Sequence, residues 1–292
     1  MKRISLLTAI LLFFQLNLSF SEGYGYNTFA QINKDRESLN YQESSSAFDL
    51  IKNDLKVSLS DGLRLAKAPL HFNSDDWLSF GAVLGGTALA FTIDSDIRSM
   101  ALRSHRSALD NVARVGKTYG EIYTGSLISG VVYVGGLVSG DGEVRKTGRM
   151  LFETLAFAGI VTSVAKSVLG RSRPYTNEGA FRYRGFQFKT ETTSLPSGHV
   201  TVAFAVSSVL ASRIDNLYAS LGLYGLAGLT VFQRIYDDKH WLSDTILAAS
   251  IGTFIGRTIV KYDEKGGNGN FGVVLFPWLT PSGSGLGLQI GI

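Results

Sequence analysis

The chain has 292 residues, of which 45% are hydrophobic and 18% charged, with 33 glycines and no cysteine. These values exclude a disordered tail, a collagen-like fibre and a disulfide-stapled miniprotein, and the missing cysteines remove thiolate metal sites and thiol enzymes. A formal net charge of +4 gives no electrostatic footprint for nucleic acid, and the mean hydropathy of +0.14 lies above that of most soluble enzymes.

Lys2 and Arg3 precede an apolar run over residues 4–18 and then Ser19-Phe20-Ser21. That order matches the charged, apolar and small-residue regions of a signal peptide, so export with cleavage near Ser21 is expected and residues 1–21 are assigned to it. An uncleaved anchor is the alternative, and both place the protein in the cell envelope. Residues 22–76 form a polar leader with nine acids against six bases. Inside it, residues 48–65 space apolar side chains three and four apart, which predicts an amphipathic helix lying against another surface.

From Trp77 the texture changes to six apolar stretches, at about 77–93, 122–139, 149–169, 200–212, 217–232 and 242–260. The expectation is an all-α bundle of six helices over residues 77–265. Gly81, Gly85, Gly86, Gly135 and Gly136 would let helices approach closely, as membrane bundles and tight helical cores both do. Most stretches fall short of the roughly 20 residues of a bilayer span. Two carry internal charges, Glu153 with Lys166 and Asp244 with Arg257, so integral and peripheral membrane association both stay open. In residues 266–292 the runs 271–277 and 286–292 flank a turn at 280–285, which predicts a short β-hairpin capping the helical body.

Three segments carry candidate chemistry. Lys166 and Arg173, seven residues apart before Pro174, would share a helix face and bring two cations to one point. Pro196-Ser197-Gly198-His199 opens an apolar helix; Ser197 is a ready N-cap, and the free amides of Gly198 and His199 suit an anion. Arg234 precedes His240 by six residues and Asp244 follows His240 by four, so Asp244 can hold one imidazole nitrogen and leave the other free as a nucleophile. The chain must turn at Asp237-Asp238 for Arg234 and His240 to reach one site, and Asp238 can cap the new helix. Each segment alone also fits a capped or surface helix end. Together they build a phosphate pocket.

Lys-x6-Arg-Pro, Pro-Ser-Gly-His and Arg-x5-His-x3-Asp resemble the three signature motifs of the type 2 phosphatidic-acid phosphatase superfamily, which includes lipid phosphatases, bacterial acid phosphatases and vanadium haloperoxidases. The resemblance covers about residues 77–260, with ten fixed positions in order; Gln233 stands where the family usually has serine before the arginine. It implies that Lys166, Arg173, Arg234, Ser197 and the Gly198 amide hold the phosphoryl oxygens. It also implies that His240 attacks phosphorus, Asp244 orients His240, and His199 protonates the leaving oxygen and then activates water. No metal and no cofactor are implied. The substrate would be a phospholipid or isoprenoid phosphate; a broad-specificity periplasmic acid phosphatase and a non-catalytic envelope scaffold are the alternatives. The partners expected are that lipid phosphate or small phosphate ester and a membrane, with no nucleic acid. Residues 175–195, with Phe181, Tyr183, Phe186 and Phe188 among Arg182, Arg184 and Lys189, suit a membrane surface or a loop packed by its own rings. The relatives' orientation puts the site in the periplasm, whereas five bases against one acid in residues 97–120 and an exported N-terminus put it inside.

Overall fold

A computed structural model describes residues 46–264 apart from residue 73, together with the backbone of 272–280 and 283–291. The expected signal peptide and the first part of the leader lie outside the described residues. Nine α-helices follow in order: α1 (Ala47–Lys67), α2 (Ser74–Phe91), α3 (Asp94–Arg103), α4 (Ser107–Gly120), α5 (Ile122–Ser139), α6 (Gly142–Leu169), α7 (Gly198–Ile214), α8 (Leu217–Tyr236) and α9 (Leu242–Glu264). The backbone of β1 (Gly272–Thr280) pairs antiparallel with β2 (Gly283–Gly291).

Local chemistry sets the helix ends. Ser46 accepts the Asp49 amide at the start of α1. Asp141 accepts the Glu143 and Val144 amides at 2.9 and 3.1 Å at the start of α6, and Asn216 accepts Ala219 N at 3.1 Å at the start of α8. α6 stops because Gly170 takes a left-handed φ of 61°, its amide closing on Lys166 O.

The six-helix expectation needs correction. The amphipathic helix of the leader is present as α1, and α3 and α4 occupy a stretch that reads as a loop. Both are polar on one side and hold to the body by small residues. A Cβ on Gly116 would collide with the backbone of Leu229, and one on Gly120 would sit 2.5 Å from Thr230 Cγ2. Thr230 Oγ1 donates to Gly116 O at 2.7 Å, locking α4 against α8.

α7 is the central post. One core cluster joins Ala90, Ile97 and Ala101 to Val200 and Phe204 of α7 and to α8 and α9; a second joins Met150, Leu151 and Leu155 of α6 to Val206 and Val209 of α7 and to Ile255 and Ile259 of α9. Every functional motif therefore hangs on an end of α6, α7, α8 or α9. Two helices, α5 and α6, are long and apolar enough to cross a membrane, and α2 with α3 pass the same test as one pair bent by 56°. α5 exposes Leu127, Val131 and Val138.

Candidate active site

Lys166 lies in the last turn of α6 and donates from Nζ to Thr193 O at 2.8 Å. Arg173 is not on the same helix, contrary to the spacing argument, because Gly170 ends α6 four residues before Pro174. Residues 170–173 instead turn back against 182–194. Arg184 N donates to Gly170 O at 3.0 Å, Ser172 N to Arg182 O at 2.9 Å, Arg173 N to Glu191 O at 2.9 Å and Ser194 N to Arg171 O at 2.9 Å. That strap, rather than a helical repeat, carries Arg173 to the start of α7.

Ser197 occupies the N-cap position of α7, yet its side chain caps nothing. Its Oγ is buried without a hydrogen-bond partner, and so are Arg173 Nε and Arg234 Nε. Buried donors normally find partners, so three at the ends of three motifs mark a place built for an acceptor. Lys166 Cε lies 3.8 Å from where a Cβ on Gly198 would stand. His199 sets Nε2 3.4 Å from Glu121 Oε2, at the start of α5.

α8 ends at Tyr236, and the chain reverses through Asp237 and Asp238, the latter at φ 57°. Lys239 N and His240 N both donate to Arg234 O, at 3.0 and 3.1 Å. This knot brings Arg234 and His240 to one side, as the spacing requires. Asp238 is not a cap; it takes a forked ion pair from Arg98 at 2.7 and 2.8 Å. His240 lies in the turn before α9 rather than one helical turn along it, and its Nδ1 is 3.4 Å from Asp244 Oδ2. With Nδ1 facing the carboxylate, Nε2 is the nitrogen left for chemistry.

His240 is 3% exposed and Asp244 wholly buried. Burial, followed by the charges of Lys166, Arg173, Arg234 and His199, holds His240 well below the usual imidazole range. Four of the sequence-predicted residues thus act electrostatically on one ring, which Asp244 also faces. Burial, with Arg234 adding to it, lowers His199 to about 4 although Glu121 pulls the other way. Both imidazoles are neutral at pH 7 in this state, and burial also lowers Arg173.

Five residues here escape the motif spacing. Arg171 is fully buried, donating to Asp94 Oδ2 at 2.7 Å, Asp244 Oδ1 at 2.5 Å and Ser243 Oγ at 2.7 Å. Ser243 N and Oγ donate to Asp94 at 2.9 and 2.6 Å. Ser194 Oγ donates to Asp244 Oδ2, which also accepts Trp241 N at 2.9 Å. Glu121, described above, is the fifth. Arg171 stands inside the spacer of the first motif, so its position was on view, but Asp94 and Glu121 come from α3 and the start of α5 and carried no signal. Gln233 spends its amide on Asp237 and accepts from Arg234 Nη1 at 3.4 Å.

A cavity of about 320 Å³ leads away from Lys166, Gly198 and His199 between α5, α6 and α7, walled by Leu155, Ala158, Val202 and Ala205.

Residues 148–267 match the family model for the PAP2 superfamily. Over those residues the chain is similar to the PAP2 superfamily. The match spans the three motifs, from the second turn of α6 to the end of α9. Among curated relatives, a lipid A 1-phosphatase of Porphyromonas gingivalis is 25% identical over 183 residues, covering 60% of this chain and 36% of its own. A lipid A 1-phosphatase of Rhizobium etli is 29% identical over 125 residues, covering 41% of this chain and 52% of its own. The chain thus spans between about a third and a half of the length of these curated relatives. A transmembrane PAP2 type phosphatidylglycerolphosphate phosphatase from Bacillus subtilis aligns with a TM-score of 0.51 at 16% identity, over 63% of this chain and 95% of that one, so the two share the PAP2 fold.

Proposed function

We propose that the chain hydrolyses the phosphate ester or diphosphate of a lipid through a phosphohistidine. The observation that carries the reading is the ring of unspent donors, Ser197 Oγ, Arg173 Nε and Arg234 Nε, beside a buried imidazole held at Nδ1 by Asp244. Lys166, Arg173 and Arg234 with Ser197 and the Gly198 amide would hold three phosphoryl oxygens and stabilise the charge that grows as phosphorus becomes five-coordinate. The His240 Nε2 lone pair attacks phosphorus while the ester P–O bond breaks. The leaving oxygen takes a proton from His199, whose unliganded value near 4 rises when a phosphate dianion binds beside it. Water then attacks phosphorus, His199 accepts its proton, the P–N bond breaks and inorganic phosphate departs.

Two observations favour a lipid. The cavity beside the site is walled by apolar side chains and opens along helices with exposed apolar faces. Phe181, Phe186 and Phe188 project from the strap that holds Arg173, each at least 70% exposed, as rings at a headgroup layer would. The curated relatives make lipid A the first substrate to assay.

The test is rapid-quench trapping with a ³²P-labelled lipid phosphate in detergent, with an aryl phosphate in parallel. An acid-labile, base-stable protein label that disappears in His240→Ala is expected, with the lipid turned over faster. An acid-stable label on an oxygen nucleophile overturns the phosphohistidine. Equal turnover of both substrates favours the broad-specificity alternative.

We assign the site to the periplasmic face, as the resemblance implies. α1 meets the first half of α6 while Lys166 lies near its other end, so this assignment puts α1 on the cytoplasmic side and goes with the uncleaved N-terminal segment rather than an exported one. Proteolysis of the 170–197 strap in intact cells supports this side; cleavage only after the inner membrane is opened reverses it.

A further inference from the structure

α1 wears its polarity inside out. The side chains it turns toward the bundle include Asp54, Ser58 and Asp61, and they meet charge on α6 and α9. Asp54 pairs with Arg145 and accepts Tyr133 Oη at 2.8 Å, Ser58 donates to Glu153 at 2.6 Å, and Arg149 reaches Glu153 at 2.9 Å and pairs with Asp263. Arg64 lies over the Tyr262 ring at 3.9 Å. Undoing this network by rotating α1 would strand buried charges, so it fixes which face points out.

The outward face is the apolar one. Phe48, Ile51, Leu55, Leu59 and Leu63 follow helical spacing and are exposed, Leu59 at 70%. A soluble helix buries that stripe. Along one edge stand Lys52, Lys56 and Lys67, against Asp49 as the one exposed acid of α1. Lysines beside an apolar stripe suit an acyl layer with anionic headgroups above it, the stems lying on hydrocarbon and the ammonium groups reaching phosphate.

Depth agrees with this. α6 has 28 residues, about 42 Å at 1.5 Å per residue, and exceeds a hydrocarbon core of about 30 Å. Its charged first turns, with Arg145, Lys146 and Arg149, therefore stand at headgroup level if the apolar remainder crosses. α1 docks on those turns and on the two that follow, through Glu153 and Phe157, and α5 and α6 carry exposed apolar side chains of their own.

We propose that α1 is a membrane-surface helix at the end of the bundle opposite the catalytic site, its outer stripe seated in the acyl layer and Lys52, Lys56 and Lys67 on anionic lipid headgroups. The inference goes beyond the catalytic reading and rests on α5 and α6 crossing the bilayer.

The chain has no cysteine, so single-cysteine variants can be labelled with an environment-sensitive fluorophore. Leu59→Cys, Asn53→Cys on the polar edge of α1 and Val131→Cys on α5 are reconstituted as full chains into phosphatidylcholine–phosphatidylglycerol vesicles containing spin-labelled lipid. Leu59→Cys is expected to be quenched several-fold more than Asn53→Cys and near the level of Val131→Cys, and the difference should shrink without phosphatidylglycerol. If Val131→Cys is quenched and Leu59→Cys is not, the surface helix is overturned and the spans stand. A Leu59→Cys label shielded from aqueous iodide but untouched by spin-labelled lipid means that protein covers the stripe, which also overturns the proposal. Absence of quenching at both Leu59→Cys and Val131→Cys removes the membrane reading altogether.

Discussion

Arg171 and Asp244 form a wholly buried ion pair in which one Asp244 oxygen receives Arg171 Nη1 at 2.5 Å and the other stands 3.4 Å from His240 Nδ1. The guanidinium is shared with Asp94, so the carboxylate that faces the proposed nucleophile, His240, is itself held from a helix earlier in the chain. Removing one member of a buried pair leaves the other uncompensated, at a cost of about 3–5 kcal/mol. Asp94→Asn should therefore lower kcat by one to two orders of magnitude with little change in KM, because the proposed binding groups stay in place while Arg171, which holds Asp244, loses its second carboxylate. Arg171→Met should lower the thermal midpoint as well. Steady-state kinetics and a detergent-phase melt measure both, and a pure KM effect for Asp94→Asn would contradict the orienting role.

The nucleophile and its surroundings predict inhibition as well as turnover. His240→Ala should abolish activity, and orthovanadate should compete with substrate because its five-coordinate adduct fits the donors set for the transition state. EDTA should leave the rate unchanged, since in the proposed mechanism Lys166, Arg173 and Arg234 supply the positive charge. Loss of activity on chelation with recovery on adding magnesium would refute this.

His199 and His240 give a signed pH dependence of stability. Both imidazoles are lower in the folded protein than the usual 6.5, His199 at about 4. Unfolding therefore takes up protons below pH 6.5, so their contribution is fully present above that value and is lost as pH falls toward 4. The thermal midpoint should drop between pH 7 and pH 5, and His199→Gln should flatten the slope. An unchanged slope would show that His199 titrates in the folded protein as it does in the unfolded chain, against the lowering by burial.

Gly159 lines the cavity that leads from Lys166 and His199, and a Cβ there meets nothing within 4 Å. Gly159→Trp should fill it, cutting kcat/KM for a lipid phosphate at least tenfold while sparing a small aryl phosphate, because the cavity leads away from Lys166, Gly198 and His199. Equal losses on both substrates would detach the cavity from lipid binding.

Gly116 holds α4 against the backbone of α8 at Leu229. Gly116→Ala should destabilise the protein by about 1–3 kcal/mol through overpacking, visible as a lower melting midpoint, and Gly222→Ala, where a Cβ meets nothing within 4 Å, should not.

The amino-acid order by itself determined the helical body, the amphipathic stretch of the leader and the chemical inventory of the site. Apolar runs with small residues have one economical outcome, and three cations, two imidazoles and a carboxylate in fixed order have few shared uses. Local periodicity could not show how they meet. It put Lys166 and Arg173 on one helix, and His240 and Asp244 on another, whereas Gly170 ends α6 early and the Asp237-Asp238 reversal leaves His240 ahead of α9. Those placements depend on backbone bonds from the 182–194 strap and from Arg234 O, which join segments that no periodic pattern relates. Tertiary structure alone also decided α3 and α4, whose polar sequences become helices by packing Ala101, Gly116 and Gly120 on the body. It alone supplied Asp94 and Glu121, since a carboxylate remote in sequence gains its meaning only from the arginine or imidazole the fold sets beside it.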